Sequence, residues 1–287
     1  MIWSFIALIS SFSVSIADCM TKKYLSNESV WITYWIRIGY SVPVLLLFMD
    51  YSHIPHLPAP FWWIMAALVP LETIAGLFYA RALQISPLSL TIPFMAFSPV
   101  FLLGVGYLIL GEVPSYTGLC GVLLVAGGAY LLNVHHSPRG LLAPIKAILH
   151  ERGSWMMLIV AVLYTFSATL GKKALTYAEP RFFAFFYMAV VAVACFPVMY
   201  MLSGRKLRLF VHRPLVFLMV GTAMGVMVIT HFVAVENMHV AYMVSIKRLN
   251  LVFSVFLGHW MFNEERLMQN SLACIMMLCG AIIITVL

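Results

Sequence analysis

Residues 239–262 read HVAYMVSIKRLNLVFSVFLGHWMF and are apolar along almost their whole length. An α-helix needs about 20 predominantly apolar residues to cross a bilayer, so this run predicts a transmembrane helix. The only Lys or Arg side chains within it are those of Lys247 and Arg248, which lie eight or more positions from either end. The fold of the chain follows from how often comparable runs recur.

Apolar runs of similar length recur from one end of the chain to the other. Of 287 residues, 63% are hydrophobic and 9% are charged, with a mean hydropathy of +0.99, whereas a soluble domain has roughly 25% charged residues. This composition excludes a water-soluble globule. The net charge of +7 comes without the basic run or zinc pattern of a nucleic-acid-binding protein. We predict an all-α polytopic protein of the cell (inner) membrane with ten transmembrane helices: 1–17, 30–49, 61–80, 88–110, 114–134, 154–170, 182–202, 214–235, 239–262 and 268–287.

The longest loop, residues 135–153, divides the chain into two halves, 1–134 and 154–287, with five predicted helices each. A shift of 152 positions places Glu112 on Glu264, and both residues end a long apolar run. The same shift matches Ala82 with Ala234, Gly106 with Gly258 and Gly128 with Gly280, and a shift of 150 matches Lys22 with Lys172. Because five is an odd number, the second repeat crosses the membrane with the opposite orientation. Two inverted five-helix repeats are typical of alternating-access transporters, which bind substrate near the membrane midplane.

This five-plus-five arrangement resembles the drug/metabolite transporter (DMT) superfamily, EamA type, and two short motifs support the resemblance. Leu110-Gly111-Glu112 closes the fourth run and Phe262-Asn263-Glu264-Glu265 closes the ninth. The resemblance implies a secondary carrier of small metabolites, a class whose members move amino acids, amines, nucleotide sugars or sugar phosphates. The Lys247-Arg248 pair is similar to the Lys-Arg pair in the penultimate helix of the plastid triose-phosphate translocator branch. That likeness implies that the pair clamps a substrate phosphate.

Lys247 and Arg248 carry the strongest functional signal in the residues themselves. A charge at the centre of a membrane helix costs about 2.5–3.5 kcal/mol, and each large apolar residue returns only about 0.3–0.6 kcal/mol. Adjacent residues lie about 100° apart on a helix, so both side chains can face one cavity. Lys supplies a mobile charge and Arg a planar fork suited to carboxylate or phosphate. Anion binding is the favoured interpretation, with a structural ion pair and snorkelling to the interface as alternatives.

Glu72, near the middle of the third run, and Arg37, in the second, are further candidate residues of the substrate site. Glu72 is interpreted as the counter-ion of Lys247 or Arg248 in the empty carrier, as a proton carrier, or as a hydrogen-bonded carboxyl group without a transport role. Arg37 is interpreted as a second contact for the anion or as a structural partner of Glu72 or Asp18.

Tyr79 and Tyr242 complete the predicted substrate-binding set, because a tyrosine hydroxyl on a cavity wall can hydrogen-bond a polar substrate. Packing between helices or in the interfacial aromatic belt is the alternative for each. The sequence contains no P-loop, nucleophile elbow or HExxH motif, so no enzymatic activity is predicted. It has no ligand pattern that favours a metal site, and no metal or cofactor is expected.

Together these observations favour a secondary transporter that moves a small organic anion, carboxylate- or phosphate-bearing, by alternating access. An empty carrier would return with unpaired buried cations, which favours exchange with a counter-substrate; proton symport through Glu72 is the variant. The alternatives are a flippase for an anionic lipid head group, an exporter of amino acids or amines with Glu72 as the key residue, and a membrane scaffold or sensor without transport. The expected partners are the substrate, the lipid bilayer and a coupling proton or counter-substrate, with no nucleic acid, in a monomer or homodimer.

The distribution of basic loop residues predicts an orientation that conflicts with the family resemblance. On the side of the N-terminus the loops carry three, Lys172, Lys173 and Arg181. The opposite side carries eleven: Lys22, Lys23, Arg81, Arg139, Lys146, Arg152, Arg205, Lys206, Arg208, Arg213 and Arg266. The positive-inside rule then places both termini outside, whereas the resemblance implies cytoplasmic termini.

Overall fold

A computed structural model describes residues 1–25, 28–51, 55–85, 92–134, 152–203, 214–262 and 271–286. Within these ranges the chain forms helices and no β-strand. Twelve α-helices and one 3-10 helix follow one another in this order: α1 Ile2–Leu25, α2 Val30–Gly39, α3 Ser41–Phe48, α4 Ala59–Ile85, the 3-10 helix Ile92–Phe97, α5 Ser98–Leu110, α6 Tyr116–Val134, α7 Arg152–Ala174, α8 Pro180–Leu202, α9 Pro214–Glu236, α10 Val240–Lys247, α11 Asn250–Phe262 and α12 Ser271–Val286.

Long apolar helices confirm the predicted polytopic membrane fold. Among the described residues, seven stretches are long and apolar enough to cross a membrane, and three shorter apolar helices accompany them. Each of these ten lies on one of the ten predicted runs. Large apolar side chains cover the outside of the helix bundle, such as Leu47, Trp63, Leu108 and Trp260. A contiguous apolar surface of this kind suits contact with lipid and not with water.

The two halves of the chain interlock through equivalent helices. The first helix of the first half, α1, packs against α9, which is the third span of the second half. The first helix of the second half, α7, packs in the same way against α4, the third span of the first half. The last spans of the halves, α6 and α12, pack against each other. This exchange of equivalent contacts is what two inverted repeats related by a two-fold axis produce.

Small residues bring α6 and α12 into backbone contact. A Cβ added to Gly121 would lie 2.8 Å from the carbonyl oxygen of Gly280, and one added to Gly128 would lie 2.8 Å from that of Ala273. Only glycine fits at such a distance, and small residues promote close helix packing within membranes in the same way. The pair α6–α12 is therefore a tight apolar joint between the halves.

Two equivalent spans are broken at their middle, which the sequence did not predict for the ninth span. The run 239–262 was expected to be one continuous helix, but α10 ends at Lys247 and α11 begins at Asn250. In the fourth span, the 3-10 helix ends at Phe97 and α5 begins at Ser98. Ser98 and Asn250 are 152 positions apart, so the breaks occupy equivalent places in the two repeats. Pro99 lies in the first turn of α5, directly after the break in the fourth span.

Candidate functional site

The two helix breaks meet at Arg248 and Ser98. Nη2 of Arg248 donates a hydrogen bond of 2.6 Å to the Ser98 hydroxyl oxygen, and this hydroxyl donates one of 2.9 Å to the carbonyl oxygen of Met95. Arg248 is the C-cap residue that follows α10, and Ser98 is the first residue of α5. The guanidinium therefore joins the middle of the ninth span to the middle of the fourth. Its buried Nε has no hydrogen-bond partner among the described residues.

Serines of α1 bind backbone carbonyls on both sides of the break in the ninth span. Ser11 Oγ donates to the carbonyl oxygen of Lys247 at 3.1 Å, and Ser15 Oγ donates to that of Asn250 at 2.8 Å. The two serines are four residues apart and so lie on one face of the helix. Irregular backbone is tolerated at membrane depth when protein groups satisfy it. This serine face of α1 explains how the break can persist inside the bilayer.

Lys247 is partly exposed at the centre of the bundle. Its side chain forms no hydrogen bond or ion pair with the part of the chain that the structure describes. It is attracted by the carboxylates of Glu72 and Asp18 and repelled by the guanidinium groups of Arg248 and Arg37. An ammonium group that is drawn out of water and lacks a direct partner is available to a ligand.

Glu72 attracts Lys247 electrostatically, and helices of the second half hold it in place. The residue belongs to α4. Its Oε2 accepts hydrogen bonds from the hydroxyl groups of Ser167 in α7, at 2.9 Å, and Tyr187 in α8, at 3.1 Å. Within the described ranges, Oε1 accepts no hydrogen bond. Glu72 and Lys247 attract each other without forming a direct ion pair.

Arg37 forms an ion pair with Asp18, which is one of the partners proposed from the sequence. Nη1 of Arg37 lies 2.5 Å from Oδ1 of Asp18, and Nη2 lies 3.4 Å from the sulfur of Met224. Tyr79 interacts electrostatically with Asp18, Arg37 and Arg248. The structure thus brings five predicted residues into one central cluster: Arg37, Glu72, Tyr79, Lys247 and Arg248.

Tyr242 does not join this cluster. Its hydroxyl accepts a hydrogen bond of 3.0 Å from the backbone N–H of Ser115, between α5 and α6, and contacts Gly118. Tyr242 lies in the first turn of α10, and Lys247 is the last residue of that helix. The side chain therefore belongs to the outer end of the bundle, as the packing alternative predicted.

Sequence reasoning missed several uncharged members of the site, among them Ser11, Ser15, Ser98, Ser167 and Tyr187. Serine and tyrosine are common in this chain, so residue type alone did not distinguish them. One signal was available for Ser98, because the shift of 152 relates it to Asn250 at the charged segment. No group of three His, Cys, Asp or Glu side chains with metal-binding geometry occurs in the described part of the chain.

Comparison with known proteins identifies a family and a fold. The profile described as "EamA-like transporter family" matches residues 1–134 and 151–286. No curated protein sequence matches the chain significantly. A crystal structure of a protein whose title gives no function superposes with a TM-score of 0.72, over 97% of this chain and 98% of that chain, at 14% sequence identity. At this identity the likeness shows the fold alone.

Proposed function

The chain belongs to the EamA-like transporter family, and from that premise we propose that it is a secondary active transporter of a small organic anion. The anion carries a carboxylate or a phosphate. It binds in the central cluster, and the two five-helix repeats rock around it so that the site opens to each face in turn. The single observation that carries this proposal is the break of the ninth span at Lys247 and Arg248.

The helix ends at this level favour an anion. The N-terminus of α11 begins at Asn250, and that of α5 begins at Ser98, which contacts Arg248. The peptide dipoles give the N-terminus of a helix a partial positive charge, while the first N–H groups of α11 are partly paired within the break, that of Leu251 with the Arg248 carbonyl oxygen and that of Phe253 with the Leu249 carbonyl oxygen. Broken helices whose N-termini point toward an acidic substrate group are a recurring device of transporters built from inverted repeats. Lys247 and Arg248 add two full charges to these partial ones.

The charges of the central cluster also favour an anion. Arg37 and Asp18 neutralise each other as an ion pair. Of the remaining cations, Lys247 and Arg248, Lys247 is attracted by the one remaining carboxylate of the cluster, that of Glu72. With Glu72 ionised, the cluster has one positive charge in excess among the described residues. An acidic group completes the charge balance, and buried charges are stable only when they are paired.

Glu72 has the position required of a counter-ion in the empty carrier. It attracts Lys247 at a distance longer than an ion pair, so a substrate acid can take its place beside the ammonium group. Exchange of one anion for another keeps the cations paired throughout the cycle. Proton symport is the variant, in which Glu72 takes up a proton while the anion is bound.

A second candidate function is the export of amines or amino acids, and the free oxygen of Glu72 favours it. Oε1 accepts no hydrogen bond from the described residues, so it is available to a cationic or hydroxyl donor. In that function Glu72 binds the substrate, and Lys247 and Arg248 serve to shape the site. Binding of an amine would depend on Glu72 and not on Lys247, which separates the two functions experimentally.

A ligand screen on the purified protein tests the proposal. The thermal stability of the protein is measured with carboxylated, phosphorylated, amine and neutral metabolites and with short-chain anionic lipids, for the unmodified chain and for Lys247→Gln. A ligand that binds the folded state raises Tm by mass action. Lys23→Gln is the matched control, since Lys23 is exposed at the end of α1, away from the cluster.

We expect acidic metabolites to stabilise the unmodified protein and Lys23→Gln, but not Lys247→Gln. Stabilisation by amines that survives Lys247→Gln and disappears in Glu72→Gln would replace the first function by the second. Stabilisation by anionic lipids alone would indicate a lipid flippase. Stabilisation by acidic metabolites that persists in Lys247→Gln contradicts the proposed site.

A further inference from the structure

A second polar cluster lies at one end of the bundle and is distinct from the central one. The Lys172 ammonium group donates hydrogen bonds to Oε1 of Glu112 and, at 2.6 Å, to the carbonyl oxygen of Met238. Oε2 of Glu112 accepts a hydrogen bond of 2.8 Å from the backbone N–H of Val240 and lies 3.6 Å from Nδ1 of His239. We call Glu112, Lys172, Met238, His239 and Val240 the end cluster.

The end cluster joins the two repeats at a single face of the membrane. Counting spans from the N-terminus, the ends of α5 and α7 and the start of α10 all lie on the face where α1 begins. Glu112 belongs to the first repeat, and the other four residues belong to the second. Glu112 thus caps a helix of the opposite repeat, and its charge is neutralised by Lys172 from that same repeat.

The capped helix, α10, also carries Lys247, the cation proposed to bind the substrate. α10 has eight residues, with Val240 at its start and Lys247 at its end, so the two clusters are separated by about 10 Å along this helix. Other contacts hold the same helix against the first repeat. Tyr242 accepts from Ser115 N–H at 3.0 Å, and a Cβ on Gly106 would lie 3.2 Å from Val240 Cγ1. α10 therefore links the central cluster to the end cluster and is held against the first repeat at its outer end.

The chemistry of this contact differs from that of the other joint between the repeats. α6 and α12 meet through glycine and apolar side chains with backbone in contact, which is a joint built to stay closed. The end cluster is held by a few charge-assisted hydrogen bonds between two side chains and backbone groups at a helix start. Such bonds can be exchanged for bonds to water when the contact opens.

We propose that Glu112 is the gate residue of this face: its bonds to Lys172 and Val240 N–H hold α10 closed over the substrate site, and they break when the site opens toward the N-terminal face. The inference rests on the proposed transport function. It assigns to Glu112, which ends the fourth span, a role in opening and closing the substrate site. Glu112 is accordingly a positioning residue that acts through α10 and does not touch the substrate.

The test measures access to the central cluster from the N-terminal face and needs no substrate. His231 lies in α9, its buried Nδ1 has no partner among the described residues, and it interacts electrostatically with Lys247. His231→Cys, in a chain whose five native cysteines are replaced by alanine, is the reporter. Its rate of reaction with a membrane-impermeant thiosulfonate reagent is measured from each face, in right-side-out and in inverted membrane vesicles.

We expect Glu112→Gln to raise the rate from the N-terminal face by roughly tenfold, because a charge-assisted bond that stabilises one of two states shifts their ratio by about that factor. The rate from the opposite face should not rise. The matched control is Glu179→Gln on the same face. The Glu179 carboxylate caps α8 through Arg181 N–H and Phe182 N–H and pairs with Arg181, but all its partners are neighbours in one repeat.

Equal rates in Glu112→Gln, Glu179→Gln and the reporter alone would overturn the proposal and make Glu112 an ordinary helix cap. If Glu112→Gln does not fold, Lys172→Met, which removes only the cation, takes its place. An unchanged labelling rate in Lys172→Met would likewise overturn the proposal. If Glu112→Gln raises the labelling rate as expected but the unmodified protein transports no substrate, the proposed function is refuted and the gating role of Glu112 still stands.

Discussion

Arg248 and Ser98 join the midpoints of two repeated helices, with 2.6 Å between Nη2 of the guanidinium and the hydroxyl oxygen. Each residue lies where its span is broken, and the two breaks are equivalent in the repeats. A contact between equivalent breaks lies on or near the axis that relates the halves. In transporters built from inverted repeats, the substrate site lies near the midplane at this interface between the repeats.

Removal of the Ser98 hydroxyl should weaken ligand binding. In Ser98→Ala the guanidinium of Arg248 loses its one described hydrogen bond, and a bond to a charged group is worth about 1.5 kcal/mol, which corresponds to roughly tenfold in affinity. The dissociation constant for the acidic ligand, obtained from the dependence of Tm on ligand concentration, should rise by that factor. Ser203→Ala, a buried serine at the end of α8, should leave it unchanged. An unaltered constant in Ser98→Ala would show that the position of Arg248 does not depend on this contact.

The serine face of α1 should stabilise the broken ninth span. Ser15→Ala removes the hydrogen bond to the carbonyl oxygen of Asn250 and should lower the free energy of unfolding by about 0.5–1.5 kcal/mol, the range found for such bonds in membranes. Ser13 is buried in the same helix, forms no described hydrogen bond, and provides the control substitution Ser13→Ala. Unfolding in a denaturing detergent measures both variants. Equal losses of stability would mean that packing, and not the carbonyl, accounts for the effect.

Neutralisation of Glu72 should strengthen anion binding and slow the return of the empty carrier. Glu72→Gln removes the one unpaired carboxylate near Lys247, and at an effective dielectric of 20 a unit charge about 8 Å away is worth about 2 kcal/mol, or roughly thirtyfold tighter binding of an acidic ligand. Exchange of substrate across vesicle membranes should continue, while net uptake into empty vesicles should fall. Glu236→Gln, at the exposed end of α9, is the control. Loss of acidic-ligand binding in Glu72→Gln contradicts a counter-ion role.

The contributions of Arg37 and Asp18 to the free energy of unfolding should be coupled. Each single variant, Arg37→Gln or Asp18→Asn, leaves an uncompensated charge inside the bundle, whereas the double variant removes both. The side chains are 21% and 39% exposed, so we expect a coupling energy of about 1–2 kcal/mol, below that of a fully buried pair. A double-mutant cycle on unfolding free energies measures it. Additive losses would show that the two residues act independently and would return Arg37 to the set of substrate contacts.

The sequence predicted the spans and the central charges because both follow from composition along the chain. Ten apolar runs are visible without tertiary information, and a charge at the middle of one, such as Lys247, is unusual enough to indicate function. Glu72 and Arg37 were found by the same argument. The pairing of Arg37 with Asp18 remained one of several alternatives, since only the fold decides which helices are neighbours.

The break in the ninth span could not be predicted from the local sequence. The segment from Ser245 to Leu257 contains neither glycine nor proline, the residues that ordinarily interrupt a helix. The break depends on partners from distant segments: hydroxyl groups of Ser11 and Ser15 for the carbonyls, and Ser98 for the guanidinium. Tyr242 was assigned to the site because a tyrosine hydroxyl on a cavity wall can hydrogen-bond a substrate, whereas its hydroxyl accepts from Ser115 N–H at the end of α10 opposite Lys247.

An exchange measurement in proteoliposomes tests most directly whether Lys247 binds the transported anion. Vesicles are loaded with the acidic metabolite that gives the largest rise in Tm, and uptake of the labelled compound is compared with uptake into empty vesicles. If Lys247 binds the transported anion, we expect rapid uptake into loaded vesicles for the unmodified protein and for Lys23→Gln. For Lys247→Gln we expect uptake at the level of protein-free vesicles. Equal uptake by Lys247→Gln and the unmodified protein would contradict the claim that this lysine at the helix break binds the transported anion.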